Sequence, residues 1–459
     1  MTENLRNKNY MKVVAIAVVV LMFGSGLVSI GISKASGSTI PTELMERRTE
    51  SSYTYLNPDG TQTLKSYSGV VNYRDSGNDL MPIDLDLRPS PASGYDLEVT
   101  KNSVHTYFVA TPNVPVKVSL SFEGKQISFG PDGNPPNSVT YDRNVVTYRD
   151  VYAGNIDAEY SATSDGVKEN LVLNHAVSTN TFTFWFDAPG MSVTSTPDGQ
   201  VGLQCSGHVF ATFSALMMID AAGATSSDLR VEPKVISGQT FIEVVANPDW
   251  LTSPERAYPI KIDPTVAIET PDANFWTGWV QLPGSKFDFW YNALEDQFVG
   301  WAKFDLATLP TDITVTGLIH YGYVSLEDSL ATVNMRGLLS DPEIAVGSTI
   351  ATECTSTGTL YVTGFHAFPT LNAYVSTDLG STAYSDIVAH KSQGWFAVGM
   401  EGTSDGNWGY WYGHSNANRP YIDVMYILLA PEIDASTLLL LPILLIFAVA
   451  VRSNIGRKR

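Results

Sequence analysis

An all-β fold is predicted for this chain: two or three antiparallel β-sandwich or jelly-roll domains between an N-terminal signal or anchor segment and a C-terminal hydrophobic helix. Short stretches alternate polar with β-branched or aromatic residues, as in VKVSLSFEGKQISF, and this period of two is typical of half-buried strands. Pro-Asp-Gly occurs at 58–60, 131–133 and 197–199, and Asp-Gly suits tight hairpin turns. Between its apolar ends the sequence has no convincing helical periodicity, which favours sandwiches.

The N-terminal segment, residues 1–35, has the features of a signal peptide. Basic residues precede a long apolar stretch, VVAIAVVVLMFGSGLVSIGIS. Ser33-Lys34-Ala35 follows, with small residues at the two positions that a signal peptidase inspects. Because the apolar stretch is longer than a typical signal core, an uncleaved N-terminal anchor stays open as the alternative. Both alternatives predict that the middle of the chain is exported.

The C-terminal segment, residues 429–459, is predicted to be a sorting signal or a transmembrane segment. Leu438 to Val451 carry no charge and are followed by a basic cluster that begins at Arg452. This run is shorter than the roughly 20 apolar residues of a typical membrane helix, and such a run suits a segment that a membrane enzyme reads and removes. Basic flanks at both ends predict that both termini lie on the cytoplasmic side of the cell membrane before processing, with the middle at the cell surface.

The charge of the chain limits its partners. The formal net charge is −19, and basic residues are concentrated at the two ends, so the exported part is strongly acidic. Such a surface repels nucleic acid and anionic lipid, so no nucleic-acid partner is predicted. Attraction of divalent cations and simple solubility both stay open as roles for the acidic charge. No EF-hand pattern and no zinc-ligand spacing is present in the sequence, so no metal site and no cofactor is predicted.

A domain boundary is predicted near residue 264, between a β-rich domain at 36–264 and a β-sandwich at 265–428. The strand in AYPIKIDPTV runs into Pro264, and proline cannot continue a central ladder. Composition changes there too, since seven of the nine tryptophans lie beyond residue 275. Cys205 and Cys354 fall on opposite sides of the boundary. Export permits a disulfide between them, and two free thiols are the alternative.

The chain resembles two known β-rich families. Residues 53–263 resemble a region of exported wall-associated and RHS-type proteins, through VVNYRDSGNDLMPID, SVTYDRNVVTYRDVYAGNIDAEYSATSDGVKENLVL and NPDWLTSPERAYPIKIDPTV. Residues 266–428 resemble a DNRLRE-type domain, through FVGWAKFDLATLPTDITVTGLIHYGYVS and HSNANRPYIDVMY. The second resemblance implies a jelly-roll sandwich of a kind in which some members bind acidic polysaccharides.

The last residues resemble an archaeal PEF-CTERM sorting signal. Pro431, Glu432 and Ile433 precede apolar residues that include Pro442, and a basic cluster closes the chain. In that family a transpeptidase-like membrane enzyme cuts near the Pro-Glu motif and attaches a lipid. The resemblance implies a sorting transpeptidase as a partner, and an archaeal cell envelope as the location. Ile433 stands where the family usually has phenylalanine.

The search for catalytic motifs predicts that the chain is not an enzyme. G-x-G-x-x-G, G-x-x-x-x-G-K and H-E-x-x-H are absent from the sequence. The run from Gly413 to Ala417 lacks the second glycine of a nucleophile elbow, so a structural loop is preferred there. Glu295 and Asp296, beside aromatic residues in FWYNALEDQF, are the best candidates for the acid pair of a glycosidase. A solvated loop is preferred for them as well.

Two aromatic clusters form the predicted binding site for a polysaccharide or an envelope glycan. Sugars stack their C–H faces on flat rings, and nearby polar groups orient their hydroxyls. Alternation along a strand places Tyr410 and Tyr412 on one face and Trp411 on the other. Core packing is the alternative for all of these rings. The predicted ligand-binding residues are Trp276, Trp279, Trp290, Trp408, Tyr410, Trp411, Tyr412 and Arg419.

Together these observations predict a non-catalytic, membrane-anchored cell-surface protein that binds or adheres to polysaccharide or envelope material. A structural component of the cell envelope without a specific ligand is the first alternative. A surface polysaccharide hydrolase or lyase is the second.

Overall fold

The computed structural model describes residues 39–195, 200–206, 208–268, 277–281, 285–287, 291–292, 298–326, 332–403, 409–414 and 416–429. Within these ranges the chain forms mostly strands in several antiparallel sheets, so the predicted all-β class is confirmed at this level. Residues 1–35 and the candidate sorting motif (Pro431, Glu432 and Ile433) lie outside the described residues. No helix of the described part is both long and apolar enough to cross a membrane.

The strands fall into three groups along the chain. The first five are Thr42–Glu43 (β1), Ser52–Leu56 (β2), Gln62–Tyr67 (β3), Asn72–Arg74 (β4) and Leu80–Pro82 (β5). The next are Arg88–Pro89 (β6), Leu97–Val99 (β7), His105–Phe108 (β8), Val118–Phe122 (β9), Lys125–Pro131 (β10), Ser138–Asp142 (β11), Val145–Tyr152 (β12), Ile156–Ala162 (β13), Gly166–Leu173 (β14), Thr181–Asp187 (β15), Ser192–Ser195 (β16), Val201–Cys205 (β17), His208–Ile219 (β18), Thr225–Ser226 (β19), Leu229–Ile236 (β20), Gln239–Ala246 (β21) and Ile260–Ile268 (β22). The last are Thr277–Gln281 (β23), Ser285–Phe287 (β24), Tyr291–Asn292 (β25), Phe298–Asp305 (β26), Ile313–Leu326 (β27), Thr332–Gly337 (β28), Thr359–His366 (β29), Tyr374–Asp378 (β30), Trp395–Gly402 (β31), Tyr410–Trp411 (β32) and Tyr421–Leu428 (β33).

Helices are short and lie between strands. The α-helices are Pro248–Thr252 (α1), Gly347–Thr352 (α2) and Gly380–His390 (α3). Two 3₁₀ turns and one π turn accompany them, at Met45–Arg47, Lys391–Gln393 and Glu353–Thr357. The first α-helix is capped by Asn247, whose side chain accepts hydrogen bonds from the N–H groups of Asp249 and Trp250.

Sheets I and II enclose the core of the first domain. Sheet I runs β20-β21-β15-β10-β9-β8-β7-β6, and sheet II runs β11-β12-β13-β14-β22-β18-β17-β16 with β19 beside β18. Aromatic rings from the two sheets meet in this core. Phe129 of sheet I lies 6.3 Å from Tyr160 of sheet II, and Phe186 lies 5.5 Å from Phe213, between ring centroids. The alternation that predicted strands therefore marks the buried face of each sheet.

Strand β22 continues through Pro264, contrary to the prediction that the strand ends there. It lies in the middle of sheet II, between β14 and β18. Pro264 is opposite Ala215, where a register shift between Ala215 and Met217 interrupts the ladder with β18. On the other side, the pairing with β14 skips Glu169 and Asn170. Since the ladder is irregular on both sides, a residue without an N–H group is tolerated at this position.

The second domain contains the first strands of the chain as well as its last. Sheet III runs β1-β2-β3-β33-β27-β32-β25 with β30 beside β27, and sheet IV runs β24-β23-β26-β31-β28-β29. Strand β3 pairs with β33, from Gln62 opposite Tyr426 to Tyr67 opposite Tyr421. The segment 42–67 is thus part of a sheet of the second domain, whereas the sequence placed it in a domain at 36–264. Local patterns do not reveal such a long-range pairing.

Strand β26, in the middle of sheet IV, is buried on both faces. Leu64 and Leu318 of sheet III pack with Phe304 of sheet IV in one core. On the opposite face of sheet IV, Trp301 and Cys354 belong to a smaller cluster that also includes residues of α2. Inward residues of two sheets and one helical segment therefore cover both faces of β26.

The two cysteines are far apart in the fold. Cys354 is fully buried beside sheet IV, whereas Cys205 is partly exposed at the end of β17 in the first domain. Both are free thiols. The alternative in which Cys205 and Cys354 form a disulfide is therefore not the one found.

Candidate functional site

The outer face of sheet III carries a continuous group of tyrosines. In β2, Thr54 is buried against the core, and strand alternation therefore turns Tyr53 and Tyr55 outward. The same alternation turns Tyr321 and Tyr323 of β27 outward. We call this surface the tyrosine face. Its aromatic residues are Tyr53, Tyr55, Tyr67, Tyr321, Tyr323, Tyr374, Tyr412 and Tyr421.

Strand pairing brings these tyrosines together from distant parts of the chain. Tyr421 of β33 lies opposite Tyr67 of β3 on one side and opposite Tyr321 of β27 on the other. Tyr323 of β27 lies opposite Tyr374 of β30. Side chains that are directly opposite each other on antiparallel strands are close neighbours. The tyrosines therefore form a row that runs across the strands.

The rings of this row are in contact. Tyr321 and Tyr421 are stacked, with centroids 4.3 Å apart and an interplanar angle of 12°. Tyr67 lies 5.2 Å and Tyr374 5.3 Å from Tyr421, and Tyr323 lies 4.9 Å from Tyr374 edge-on. Tyr374 is 40% exposed and the other rings are partly exposed, so the row borders solvent. Contacts among neighbouring rings hold them in place before any ligand arrives.

Charged side chains lie on the same surface, each beside a partner of opposite sign. The Lys65 ammonium is 4.3 Å from the centroid of Tyr421 and 3.7 Å from the Asp423 carboxylate. The Arg48 guanidinium is 5.3 Å from the centroid of Tyr53, and it donates to both Glu43 carboxylate oxygens at 2.7 and 2.9 Å. The tyrosine face thus combines aromatic surface with polar groups in fixed positions.

Four phenol groups of the tyrosine face, those of Tyr67, Tyr321, Tyr374 and Tyr421, stay neutral at physiological pH. Burial raises the pKa of Tyr374 to about 12, and burial also raises the pKa values of Tyr67 and Tyr421. For Tyr321, burial and the charge of Asp423 both raise the pKa. A neutral phenol both donates and accepts a hydrogen bond. The hydroxyls of this surface are therefore suited to hydroxyl groups of a ligand.

Arg419 supports one edge of the tyrosine face from below instead of reaching a ligand. Its side chain is buried, with 2% of the residue exposed, and burial lowers its pKa to about 10. Its guanidinium donates from Nε to the carbonyl of Asn416 at 2.8 Å and from Nη1 to the carbonyl of Val70. The Tyr374 hydroxyl donates to the Arg419 carbonyl at 3.3 Å. Arg419 therefore fixes the loop before β33 against the chain before β4, and the predicted direct contact with a ligand is wrong.

Trp411 is a core residue, contrary to its prediction as a ligand-binding residue. It is fully buried, and its indole N–H donates to the Ala367 carbonyl at 2.7 Å. Its ring lies 5.8 Å from Phe368 between centroids. A side chain at Gly322 would collide with the Trp411 indole, so the ring occupies space that glycine leaves open. Tyr412, on the other hand, stacks on Tyr323 at 5.6 Å and belongs to the tyrosine face.

The side chains of the other residues that were predicted to bind a ligand or to form an acid pair are not among those that the structure describes. Trp279 and Tyr410 lie in β23 and β32, but only their backbones are described. Outside the described residues lie Trp276, Trp290, Trp408, Glu295 and Asp296. Within the described ranges, no group of three or more His, Cys, Asp or Glu side chains is arranged to hold a metal ion.

Most of the tyrosine face was missed by the sequence analysis, although a signal for it is present. Tyr-x-Tyr occurs at 53–55, 321–323 and 410–412. In the first two of these runs the middle residue, Thr54 or Gly322, is small. Paired tyrosines on the polar side of an amphipathic strand indicate an exposed aromatic face. The pairing of β3 with β33, which joins the runs, has no such local signal.

Comparison with known proteins gives a partial relationship. No family model matches the chain. It is similar to the tRNA nuclease WapA of Bacillus subtilis, with 23% identity over 262 residues that cover 51% of this chain and 11% of the relative. A tRNA3(Ser)-specific nuclease WapA of Bacillus spizizenii is 24% identical over the same shares. The chain therefore spans only 11% of the length of the curated relatives that it matches.

The comparison corrects the prediction that the chain is not an enzyme, because the proteins that it resembles over half of its length are themselves named as nucleases. Among solved structures, an exo-β-1,3-galactanase from Phanerochaete chrysosporium aligns with 84% of this chain and 97% of its own. The identity is 10% and the TM-score 0.15. A TM-score this low carries no argument about fold or function.

Proposed function

We propose that the chain is a cell-surface protein that binds polysaccharide or envelope glycan through the tyrosine face. The observation that carries this proposal is the row of contacting, partly exposed rings around Tyr421, with Lys65 and Asp423 beside it. Flat rings offer stacking surfaces to the C–H faces of sugars, and neutral phenols offer hydrogen bonds to their hydroxyls. A scaffold of paired strands holds these groups in a fixed arrangement.

The proposed setting is the outside of the cell membrane. The apolar segments at 1–35 and 429–459, with their basic flanks, support export and anchoring. Resemblance of the last residues to a PEF-CTERM signal supports a sorting transpeptidase as a partner. For the second domain we propose the jelly-roll sandwich that the DNRLRE-type resemblance implies, with sheets III and IV as its two layers. A structural envelope component without a specific ligand is the alternative within the same setting.

The test measures binding and the location of the bound polymer together. Full-length chain is incubated with isolated cell envelopes and with soluble polysaccharides, and tyrosine nitration is mapped with and without polymer. We expect saturable binding, together with protection of Tyr321, Tyr374 and Tyr421 from nitration. Tyr95, in the turn before β7, and Tyr107 of β8 are the control, because they form a contact pair beside sheet I, with centroids 5.2 Å apart. If no polymer binds saturably, the structural alternative is favoured. If binding protects only the control pair, the tyrosine face is not the site.

RNA cleavage is the second candidate function, and the observation that favours it is the match to proteins named as tRNA nucleases. That match covers 11% of those proteins, so their activity is carried to this chain only as a proposal. Incubation of the chain with tRNA, followed by gel analysis of the products, tests it. Cleavage that scales with the amount of chain supports this candidate, and intact tRNA at a molar excess of chain excludes it.

A further inference from the structure

The tyrosine face allows the class of polysaccharide to be specified further, an inference that rests on the proposed function. Three properties of the face bear on that class: the pairing of its charges, the direction of its aromatic row and the hydrogen-bonding capacity of its phenols.

Among the described residues of this face, the cationic groups are already neutralised. Lys65 is 3.7 Å from Asp423, and its strand position is directly opposite that of Asp423. Arg48 holds Glu43 through two hydrogen bonds and donates a third to the Leu80 carbonyl at 2.8 Å. A polymer with a carboxylate or sulfate on each sugar requires cations that are free to pair with it. Here such a polymer would meet carboxylates that are already engaged, on a chain whose net charge is −19.

The aromatic row has the direction and spacing of an extended polymer. Ring contacts run from Tyr53 on β2 through Tyr67 on β3 and Tyr421 on β33 to Tyr321 on β27. The Tyr374 ring, from β30, packs beside Tyr421. Adjacent strands are about 4.8 Å apart, which is close to the length of one pyranose ring in a linear chain. A linear glycan that follows the row from β2 to β27 therefore places about one sugar above each strand, or about four sugars in all.

The polar groups along the row match hydroxyls. Tyr67, Tyr321, Tyr374 and Tyr421 carry neutral phenols, since burial raises their pKa values. A neutral phenol both donates and accepts hydrogen bonds, and so does a sugar hydroxyl. The charged groups of a polyanion accept hydrogen bonds but donate none. A ligand rich in hydroxyls thus uses both capacities of the surface.

From these three properties we propose that the tyrosine face binds an uncharged, linear polysaccharide that runs across the strands of sheet III, and that it discriminates against acidic polysaccharides. The chemistry of the ligand is that of a neutral pyranose polymer, such as a glucan, mannan or galactan. Its binding is carried by stacking and neutral hydrogen bonds, so it depends only weakly on ionic strength.

The experiment compares neutral and acidic polymers on the full-length chain by affinity electrophoresis at low and moderate salt. The neutral probes are a linear β-glucan, a mannan and a galactan, and the acidic probes are alginate and hyaluronan. We expect at least one neutral polymer to bind about tenfold or more tightly than either acidic polymer, with little change on adding salt. Binding of acidic polymers alone would overturn this inference but leave the proposed function standing. Binding of none would remove both.

Asp423→Asn tests the charge argument directly, because it frees Lys65 from its carboxylate partner. We expect the variant to gain about two- to fivefold in affinity for alginate, in a salt-sensitive way, so that the preference of the chain for the neutral polymer over alginate narrows. Asp187→Asn is the matched control, since Asp187 is an exposed residue at the end of β15 and its replacement changes the net charge equally. An equal gain in both variants, or no gain in either, would contradict the argument from paired charges.

Discussion

The Nε2 atom of His414 lies 3.5 Å from the Oδ2 atom of Asp165, and this contact joins the two domains. Asp165 is in the turn between β13 and β14 of the first domain, whereas His414 is in the loop before β33. The Thr277 hydroxyl accepts a hydrogen bond from the His414 backbone N–H at 2.9 Å. The same loop contains Arg419, so the junction between the domains also fixes one edge of the tyrosine face.

Asp165→Asn is expected to lower the melting temperature at neutral pH. Burial raises the pKa of Asp165, but the hydrogen bond and charge of His414, together with hydrogen bonds from Thr163 and the backbone, outweigh burial, so the pKa lies below its usual 3.8. A carboxyl with a depressed pKa stabilises the fold above that value, and this contribution is lost as the pH falls through the folded-state pKa. We expect the variant to lose about 1–3 kcal/mol of unfolding free energy at pH 7, measured by denaturant titration. The difference from the wild type should shrink below about pH 4.

Asp187→Asn is the control for this prediction, because it removes the same charge from an exposed site on sheet I. It should leave the unfolding free energy within about 0.5 kcal/mol of the wild type. Equal stabilities of the two variants at pH 7 would show that the contact between His414 and Asp165 contributes nothing.

Glu169→Gln is expected to stabilise the first domain at neutral pH. Glu169 is fully buried in sheet II, opposite Tyr160, and burial raises its pKa well above the usual 4.5. A carboxyl with a raised pKa supports the fold when protonated, so its contribution falls as the pH rises from the unfolded-state value towards the folded-state one. Glutamine does not ionise, so the variant does not lose folding free energy as the pH rises. We expect it to gain about 1–3 kcal/mol relative to the wild type at pH 7, and this gain should grow as the pH rises above the usual 4.5. A gain that does not vary with pH would contradict titration of Glu169 as the cause.

His320→Gln is expected to remove an acid sensitivity of the second domain. His320 is fully buried between Trp411, at 5.2 Å, and Phe304, at 5.7 Å, and burial lowers its pKa to about 3. Because the folded-state pKa is below the usual 6.5, the unfolded chain binds the proton first, and stability is lost as the pH falls from about 6.5 towards 3. The variant should show a flatter dependence of melting temperature on pH in this window. His366→Gln, at an exposed position in β29, should keep the wild-type slope; a wild-type slope in the His320 variant would sink the prediction.

The two thiols are expected to differ in reactivity without forming a disulfide. Cys354 is fully buried, and burial raises its pKa, whereas Cys205 is partly exposed. A thiol-specific reagent should label Cys205 in the native chain, and both cysteines only after denaturation. Peptide mapping of the labelled chain measures this. Recovery of a linked peptide that contains both cysteines would contradict the fold.

Alternation in the sequence was sufficient to predict the all-β class, because each strand must bury one face whatever its neighbours are. It was not sufficient to assign faces. The run from Tyr410 to Tyr412 shows two opposite sides, but the Trp411 side is buried because its indole fits the space that Gly322, distant in the sequence, leaves open. Likewise, the rule that proline ends a central strand failed at Pro264, since the register shift opposite Ala215 cannot be read from the residues around proline.

The candidate site could be predicted only in part for the same reason. Tyr412 was identified from its cluster, whereas Tyr67 and Tyr421 stand singly in the sequence and meet only because β3 pairs with β33. Arg419 lies beside aromatic residues in the sequence, which suggested a ligand contact. Its burial depends on backbone carbonyls of Val70 and Asn416 that no local pattern connects with it.

The most direct test of the account is the affinity of a tyrosine-face variant for polysaccharide. Tyr321→Ala combined with Tyr421→Ala removes the stacked pair, and Tyr95→Ala combined with Tyr107→Ala removes a contact pair beside sheet I. Melting temperatures of both double variants verify that they are folded. We predict that the first double variant binds the polymer about tenfold or more weakly than the wild type, while the second retains wild-type affinity. Equal affinities of the two folded double variants would contradict the assignment of the tyrosine face as the binding site.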